Sequence, residues 1–559
     1  MATMQETKTT TVQEPVEEHF NNWSNVKGFD ANFEQKTPVE LAIKGHIPTY
    51  AAGVLYRTGP GACKVDAANG ETLRLSHWFD GFSEAHRFQL IAPDKTHPAM
   101  RVFYNSRFST DDIIEQARQT GKFKNMGFGQ KRDPCQMAYH KVQTEYEPVA
   151  PPTPASINVG VTLSINMPGV GTNGSASRWD TSTGIKTLTA KTDFNVYKHL
   201  DPETLEPISL ARQQDFHPDL DGFMTAAHAR SDPNTGDLFN FNLTVGPVPA
   251  PTYRVFCVSA STGETTVLAT FPGTPAYIHS LFLSEDYVVL CVWNTHVSHR
   301  DLNSSVMDCI KPFDPSKPAT WYVVDRKTDR GLVATYESPA FFSFHTINSW
   351  QETTPTGETD IVADLIMFEN LDFMHRLYYE NLLSDSLAAK AICQGRTDAS
   401  RSTITRFRLS AIPATPNQVP LTATIESSAC KALSPELPTM NPNYVTRKHR
   451  YVYGVADRDD STFFDGIMKF DNETKESLLW AHNAQSPGEP VFVADPDAAN
   501  EDDGVLLSVV LDGFTGKSYL LCLDAHNLAE LGRASVDGPV AFGFHGQHVP
   551  TRGLPTGDY

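Results

Sequence analysis

The chain has 559 residues, of which 40% are hydrophobic, and it carries a formal net charge of −20 at pH 7. Its length allows a large core, and its acidic balance disfavours nucleic acid and anionic membrane surfaces as default partners. The polar start lacks the apolar run of a secretory signal, and no run of about 18 apolar residues predicts a transmembrane helix. We therefore expect a cytoplasmic protein whose eight scattered cysteines are reduced and structural.

The sequence predicts an N-terminal tail followed by one large domain. Residues 1–35 are polar and charged and are predicted to be flexible, whereas residues 36–559 are predicted to form a single domain. The clearest helical pattern covers residues 110–123. Thr110 is a suitable residue to cap the start of this helix, and Gly121 is a suitable residue to end it.

Most of the remaining sequence consists of short β-branched or aromatic runs separated by turn residues, apart from a second helical stretch at 381–392. Six segments are typical of β-hairpins, and five of them have a turn led by Asp or Ser. These segments are 198–210, 256–271, 277–292, 322–336, 469–481 and 521–534. Repeated antiparallel hairpins predict an all-β protein and favour a β-propeller, whose blades share one axis. The repeats are too irregular to give the number of blades.

Two local patterns imitate functional motifs. The stretch FTGKS (514–518) resembles the end of a phosphate-binding loop, but it lacks the first glycine of that motif and is predicted to be a hairpin turn. Two HxxH pairs, His296 with His299 and His545 with His548, have a spacing that binds metal on a helix. Neither segment is predicted to be helical, so we assign no function to either spacing.

Four histidines share a local context, because each lies in a strand-like run beside small or aromatic residues. They are His228 in MTAAHAR, His279 in AYIHSLF, His345 in FFSFHTIN and His545 in AFGFHGQ. Taken alone, a histidine among aromatics is typical of a core residue hydrogen-bonded to the backbone. The four are too far apart for a local metal motif, but the inner strands of propeller blades converge on one axis. We therefore hypothesise a shared site of four imidazoles.

Four neutral imidazoles suit a divalent transition metal, and ligand type alone leaves zinc, copper, iron and nickel open. In an octahedral sphere, four protein ligands leave open positions at which dioxygen can bind iron(II). The other ring nitrogen of a ligand histidine is commonly held by a carboxylate. Candidate carboxylates are Asp193 in AKTDFN, Glu436 in SPELPTMN and Glu489 in SPGEPVFV.

Several further motifs occur in a fixed order around the four histidine contexts. They are LYRTGPG (55–61), HWFDG (77–81), FYNSRF (103–108), LDPETLEP (200–207), ELP (436–438) and GEPVFVADPDA (488–498). Together with the histidine contexts, these motifs resemble the carotenoid cleavage oxygenase family over residues 40–550. The resemblance implies a seven-bladed β-propeller, capped by loops and short helices, with iron(II) on the axis and a tunnel leading to it. HWFDG is expected to be structural. The implied iron ligands are His228, His279, His345 and His545, and the implied carboxylates that hold them are Glu436, Glu489 and Asp193.

The reaction that the resemblance implies is oxidative cleavage of a conjugated carbon–carbon double bond into two carbonyl products. Dioxygen is the co-substrate, and no organic cofactor is required. The protein would supply metal geometry and a dry cavity, and tunnel depth would select the bond. Two alternatives are a retinoid isomerase of the same family and a non-catalytic propeller that binds a lipid or protein partner. The complete set of four histidines argues against the second.

The segment NVGVTLSINMPG (158–169) resembles the fungal branch of the family, which includes torulene-cleaving enzymes. Stilbene-cleaving relatives typically carry a lysine directly before the acid that aligns with Asp193. Here that position is Thr192, and Lys191 lies one residue earlier, where strand alternation turns it to the opposite face. We therefore predict a carotenoid or apocarotenoid, a torulene-like polyene, rather than a stilbene. Because such substrates dissolve in membranes, an apolar patch with peripheral membrane contact is expected at the tunnel mouth.

Two positions depart from the family pattern. Asp193 is one methylene shorter than the glutamate of relatives, so its bond to a ligand histidine is expected to be longer or bridged by water. After His545 the chain continues with Gly546, Gln547 and His548, where a hydrophobic residue is common in relatives. This second departure puts one wall of the site in question, but not the metal.

Overall fold

The computed structural model describes residues 25–123, 127–131, 151–170, 184–246, 250–298, 305–383, 400–417, 419–458, 461–551 and 557–559. In these ranges the chain is folded mainly into β-strands joined by short turns. Within the same ranges, no helix is long and apolar enough to cross a membrane.

We number the strands of the described part in chain order. They are β1 (Val39–Gly45), β2 (Gly53–Ala62), β3 (Lys64–Asp66), β4 (Thr72–Arg74), β5 (Phe82–Ile91), β6 (Arg101–Phe108), β7 (Thr162–Ile165), β8 (Leu188–Lys191), β9 (Tyr197–Leu200), β10 (Pro207–Ala211), β11 (Arg230–Ser231), β12 (Leu238–Thr244), β13 (Thr252–Val258), β14 (Thr265–Pro272), β15 (Phe282–Leu283), β16 (Tyr287–Val292), β17 (Ala319–Asp325), β18 (Leu332–Ser338), β19 (Thr346–Thr353), β20 (Thr359–Met367), β21 (Thr403–Leu409), β22 (Leu421–Ser428), β23 (Glu436–Thr439), β24 (Tyr451–Ala456), β25 (Gly466–Asp471), β26 (Ser477–Trp480), β27 (Gln485–Pro487), β28 (Val491–Ala494), β29 (Gly504–Asp512), β30 (Lys517–Asp524), β31 (Glu530–Ser535) and β32 (His545–Pro550).

Apart from the separate hairpin β3–β4, the strands of the described part form seven blades with antiparallel pairing inside each blade, so the predicted all-β, seven-bladed propeller is confirmed. Strand β32 contacts β7 and β28, and β15 contacts β11 and β19, which places the first strand of each of these blades toward a common axis. The blades are β32-β2-β5-β6 with β1, β7–β10, β11–β14, β15–β18, β19–β22, β23–β26 and β27–β31.

The ring is closed by strands from distant parts of the sequence. Strand β32 pairs antiparallel with β2, from Gly53 opposite Pro550 to Thr58 opposite His545. Strand β1 pairs with β6 of the first blade and also with β31 of the seventh. The first blade therefore joins residues before 110 to residues after 540, and this pairing holds the last-described strand against the axis.

Six hairpin turns share one backbone geometry. The carbonyl of the leading Asp or Ser accepts the N–H of the residue four positions later at 2.8 Å, and that later residue has positive φ. Where the first residue of the turn is Asp, its side-chain carboxylate also accepts the backbone N–H of the residue two positions later. This additional hydrogen bond favours Asp at the start of such turns. The pairs are Asp201 and Leu205, Asp232 and Gly236, Ser259 and Gly263, Asp471 and Lys475, Asp512 and Gly516, and Asp524 and Leu528.

The six predicted hairpins are confirmed, because each predicted segment contains two antiparallel paired strands. The stretch FTGKS is one of the shared turns, as predicted, with Gly516 at φ 64° between β29 and β30. Gly516 is suited to this turn because residues with a β-carbon adopt a positive φ only at a cost in free energy. The glycine therefore has a conformational role here and does not indicate a phosphate site.

The helices of the described part are short and lie outside the blades. The helix predicted at 110–123 is confirmed, and it ends at Gly121 with φ 66°, but Thr110 makes no side-chain capping bond. Of the helix predicted at 381–392, residues 384–392 lie outside the described residues. The helices are α1 (Val26–Phe29), α2 (Asp111–Thr120), α3 (Val306–Cys309), α4 (Asp372–Arg376) and α5 (Tyr379–Leu382).

Part of the predicted flexible tail is packed against the propeller. Residues 1–24 lie outside the described residues, but Phe29 in α1 is fully buried. Its ring contacts those of Trp78, Tyr379, Phe463 and Phe542 edge-on, with centroids 5.0–6.4 Å apart. The sequence hides this contact because the apolar residues of this segment, among them Val26, Phe29 and Phe33, are interspersed with polar ones. Of the predicted tail, residues 25–29 are therefore part of the folded protein.

We expect Phe29→Ala to lower the free energy of unfolding by about 3–5 kcal/mol, because it leaves a cavity among aromatic rings. The midpoint of urea unfolding, followed by near-ultraviolet circular dichroism, measures the change. Phe514→Ala is the control, since Phe514 is 59% exposed in a turn and its loss should change stability by less than about 0.5 kcal/mol. Equal midpoints for the two variants would contradict the packing of α1.

Candidate metal centre

The four predicted histidines lie together on the propeller axis. Each of them contributes one ring nitrogen, and these four atoms all lie within 4.8 Å of one another. The residues are His228, His279, His345 and His545. The closest pair is His228 Nε2 and His545 Nε2, at 2.9 Å. The structure therefore brings residues from four different blades to one point.

Strand position explains this convergence. His545 is the first residue of β32, and His345 directly precedes β19. His228 lies two residues before β11, where its N–H donates to the carbonyl oxygen of His279 at 3.1 Å. His279 lies three residues before β15, so each of the four histidines lies at or just before the start of an inner strand. The starts of the inner strands therefore meet at one point.

Two of the predicted carboxylates each accept a hydrogen bond from one histidine. Glu436 Oε2 lies 2.7 Å from His345 Nδ1, and Glu489 Oε1 lies 2.7 Å from His545 Nδ1. Glu489 Oε2 also accepts the N–H of Gly546 at 2.7 Å. Because an ionised carboxylate can only accept, these contacts put the imidazole proton on Nδ1 and leave the Nε2 lone pair free.

The third predicted carboxylate contacts its histidine directly and at a longer distance than the two glutamates, so the expectation of a longer bond agrees with the structure and a bridging water is not needed. Asp193 Oδ1 and Oδ2 lie 2.9 and 3.0 Å from His279 Nδ1. Oδ1 also accepts the N–H of Ala227 at 2.9 Å, and Oδ2 accepts the hydroxyl of Tyr277 at 2.8 Å.

Burial controls the charge of the site. Desolvation, reinforced by neighbouring histidines, holds the pKa of His228 and of His545 well below the usual value, so both imidazoles are neutral. Burial also raises the pKa of Glu489 to about 7, an effect opposed by the nearby guanidinium of Arg57. Arg57 Nη1 donates to the Glu489 carbonyl oxygen at 2.7 Å and lies 3.8 Å from Oε2.

A cavity of about 420 Å³ opens on one side of the four histidines. His279, His345 and His545 contribute to its wall. Trp78 and Phe79 of HWFDG also line it, so that motif forms part of a cavity wall in addition to its expected structural role. The remaining apolar lining comes from Phe123, Phe128, Ile157, Val161, Phe194, Val196, Phe223, Phe344, Phe373, Leu377, Leu437, Phe464 and Phe544.

A second, more polar cavity of about 220 Å³ lies on the other side of the histidines. Lys191 and Arg230 line it, together with Asp558. Gly546, Gln547 and His548 also belong to this polar wall. The unusual sequence after His545 therefore leaves the apolar cavity unchanged.

Lys191 and Thr192 face opposite sides of the site, as strand alternation predicts. Thr192 lines the apolar cavity, whereas Lys191 lines the polar one. Lys191 is buried and its ammonium group donates to the Asp558 carboxylate, which also accepts the hydroxyl of Ser164 at 2.6 Å. The amine is therefore turned away from the apolar cavity and already paired.

The residues present fit a transition-metal ion. His345 Nε2 is buried without a hydrogen-bond partner among the described residues, and it faces the other ligand nitrogens. An orphaned buried acceptor is unfavourable unless something binds it. Four neutral imidazoles are a donor set that suits zinc, copper, iron or nickel. The arrangement therefore supports the candidate metal centre from geometry alone.

Sequence comparison agrees with the fold and the site. The family described as retinal pigment epithelial membrane protein, RPE65, matches residues 28–550. A carotenoid dioxygenase of Neurospora crassa is 41% identical, over 95% of this chain and 92% of that protein. The chain belongs to this family, the carotenoid cleavage oxygenases. A torulene dioxygenase of Gibberella fujikuroi is 39% identical, over 95% of each protein.

Comparison with solved structures supports the same architecture. A Synechocystis apocarotenoid oxygenase mutant superposes with a TM-score of 0.71, over 96% of this chain and 100% of that chain. Its sequence identity to this chain is 21%, so the likeness concerns the carotenoid cleavage oxygenase fold.

Two residues that contact the carboxylates escaped the sequence analysis of this carotenoid cleavage oxygenase. Arg57 lies within the LYRTGPG motif, but its role becomes visible only when β2 pairs with β32 beside Glu489. Tyr277 lies two residues before His279, and in a strand-like run this spacing places both side chains on one face. That spacing is a signal from which Tyr277 could have been found.

We expect His279→Ala to weaken iron(II) binding by more than about 100-fold. Loss of a direct metal ligand should reduce affinity more than loss of a residue that only holds a ligand, which costs about 10- to 100-fold. Equilibrium dialysis of the anaerobic protein against iron(II) measures the affinity. His199→Ala is the control, since His199 contacts Thr189 in the second blade. Full iron binding by His279→Ala would overturn the four-histidine site.

We expect Glu489→Gln to weaken metal affinity by about 10-fold, at the lower end for an outer partner. A glutamine oxygen can still accept from His545, but its amide group would face the Gly546 N–H that Oε2 now accepts. Glu501→Gln is the matched control, because Glu501 accepts two backbone N–H groups away from the site. An affinity equal to wild type would remove Glu489 from the metal centre.

Proposed function

We propose that this protein is a non-haem iron(II) dioxygenase that cleaves a conjugated double bond of a carotenoid or apocarotenoid into two carbonyl products. The observation that carries the proposal is one arrangement. Four imidazoles converge, and the three that are held by buried carboxylates form part of the wall of an apolar cavity. The resemblance to a carotenoid dioxygenase and a torulene dioxygenase supports the polyene substrate.

The residues that would hold the iron are His228, His279, His345 and His545, with Asp193, Glu436 and Glu489 as their hydrogen-bond acceptors. When bound, iron(II) would supply the redox chemistry that activates dioxygen toward an alkene. One alkene and one dioxygen molecule give two carbonyl groups, so the atoms balance and no organic cofactor is needed.

The protein's own contribution is to hold and shield the polyene. The cavity volume of about 420 Å³ falls in the range of about 300–1,000 Å³ typical of small-molecule sites. Phe344 contributes to the cavity wall, and its ring centroid lies 5.5 Å from that of His279. Aromatic walls of this kind exclude water and favour one placement of a rigid conjugated chain beside the metal. The bond cleaved would then depend on how deeply the chain enters.

A stilbene substrate is disfavoured by the position of Lys191. The described lining of the apolar cavity offers a phenolic hydroxyl no lysine partner, because the Lys191 ammonium lies on the polar side and is paired with Asp558. The residue that faces the apolar cavity at this point is Thr192. This arrangement favours an apolar polyene.

Substrate entry from a membrane surface is part of the proposal. Phe223 lines the apolar cavity, is 42% exposed, and has its ring centroid 5.0 Å from that of Phe194. An exposed aromatic residue at a cavity wall is suited to peripheral contact with lipid. We further propose that residues 36–559 act as one domain in the cytoplasm.

The test is anaerobic reconstitution with iron(II), then aerobic incubation with torulene, β-carotene, an apocarotenal and resveratrol. We expect aldehydes from at least one polyene, with fragment masses that identify the cleaved bond in mass spectra. Resveratrol should remain intact, and His345→Ala should form no product from any substrate.

Cleavage of resveratrol with untouched polyenes would overturn the carotenoid assignment and make Lys191 the next residue to mutate. An iron-loaded protein that consumes no dioxygen with any substrate would instead favour a non-catalytic binding propeller. Isomerisation of the apocarotenal without oxygen uptake would favour the isomerase alternative.

A further inference from the structure

We propose that Tyr277 is a positioning residue of the metal centre, whose hydroxyl fixes the Asp193 carboxylate and thereby orients His279. This inference deepens the proposed function and rests on it. Its direct evidence is the hydrogen bond of 2.8 Å from the Tyr277 hydroxyl to Asp193 Oδ2.

The three carboxylates differ in how they hold their histidines. Glu436 and Glu489 each present one oxygen to Nδ1, at 2.7 Å. Asp193 presents both oxygens to His279 Nδ1, at 2.9 and 3.0 Å. Of the three, Asp193 is the carboxylate for which the described residues provide a side-chain hydroxyl donor, from Tyr277.

The two-oxygen contact requires the carboxylate plane to be fixed. The N–H of Ala227 donates to Oδ1 at 2.9 Å, and the hydroxyl of Tyr277 donates to Oδ2 at 2.8 Å. Each oxygen therefore has its own donor besides the shared imidazole. Without the Tyr277 hydroxyl, the remaining contact of Oδ2 would be the 3.0 Å one to His279 Nδ1, which Oδ1 shares. The buried Asp193 carboxylate could then rotate about its Cβ–Cγ bond.

Tyr277 is itself held in place. Its side chain is buried, its N–H donates to the carbonyl oxygen of Thr295 at 3.0 Å, and its ring meets that of Phe128 edge-on at 5.5 Å. The Tyr277 hydroxyl lies 3.4 Å from His279 Nδ1. A phenol in this position restricts both the acid and the imidazole that the acid holds.

The shorter acid and the phenol form a matched pair. A glutamate at position 193 would extend its carboxylate by one methylene toward the atoms that surround Asp193, including the Tyr277 oxygen. Replacing Tyr277 by phenylalanine removes that oxygen and leaves room for the longer side chain. A longer acid can then hold His279 through one oxygen, as Glu436 and Glu489 hold their histidines.

The first experiment measures affinity of the full chain for cobalt(II) and for iron(II), added anaerobically without substrate. We expect Tyr277→Phe to weaken the affinity for each metal by about 3- to 10-fold. This effect is smaller than the loss of a carboxylate that contacts a ligand histidine directly. Tyr336→Phe is the matched control, since Tyr336 is also a buried tyrosine and its hydroxyl donates to the Ser410 carbonyl at 2.8 Å, away from the site. Its affinity should stay within about twofold of wild type.

The second experiment is a double-mutant cycle with Asp193→Glu. We expect Asp193→Glu alone to weaken cobalt(II) binding, and the combination with Tyr277→Phe to bind more tightly than either single variant, within about threefold of wild type. A purely structural role of Tyr277 would not produce this rescue, because the double variant would accumulate both losses.

Several outcomes would overturn the inference. One is a metal affinity of Tyr277→Phe equal to that of Tyr336→Phe. Another is a double variant that binds cobalt(II) no more tightly than Tyr277→Phe alone. If the wild-type chain binds metal, either result leaves the proposed function unaffected. A wild-type chain that takes up neither metal would overturn both the positioning role and the iron centre.

Discussion

The candidate metal centre depends on the convergence of four imidazoles, with no carboxylate of the described residues among the converging nitrogens. The ligand atoms of these histidines lie within 4.8 Å of one another, and protonation of any of them would place a cation among close neighbours in a low-dielectric interior. Each of three acids accepts a hydrogen bond from an Nδ1 and directs the Nε2 lone pair of that histidine inward. Burial, not these acids, keeps His228 and His545 neutral. The free energy for this arrangement must come from the apolar blades, since partly satisfied polar clusters are themselves unfavourable.

Closure of the ring and completion of the site are the same structural event. His545 begins β32, and β32 is held in the first blade by pairing with β2. Arg57 lies on β2 opposite Gly546, so the same pairing places the guanidinium beside Glu489 of the seventh blade. A metal that binds only the closed form would stabilise the pairing of β2 with β32, because ligands stabilise the state that binds them.

Local chemistry explains which parts of this structure are predictable from sequence. The hairpins were predictable because an Asp-led turn fixes its geometry within five residues, as at Asp471 and Lys475. The blade count was not, since inner strands such as β11 and β15 have two residues each and leave no periodic signal. The histidine contexts were recognisable by resemblance, whereas the direct contact of Asp193 with His279 depends on how two blades approach and is not encoded by any local pattern.

The site also divides two environments, and this division decides what can reach the metal. Among the described residues that line the cavity of about 420 Å³, none is Lys or Arg, whereas Lys191 and Arg230 line the smaller cavity behind the histidines. Moving the Lys191 ammonium to the apolar side would separate it from the Asp558 carboxylate and bury an unpaired charge, which is strongly unfavourable. The proposed preference for an apolar chain thus rests on the position of Lys191, the last residue of strand β8, on the polar side of the histidines.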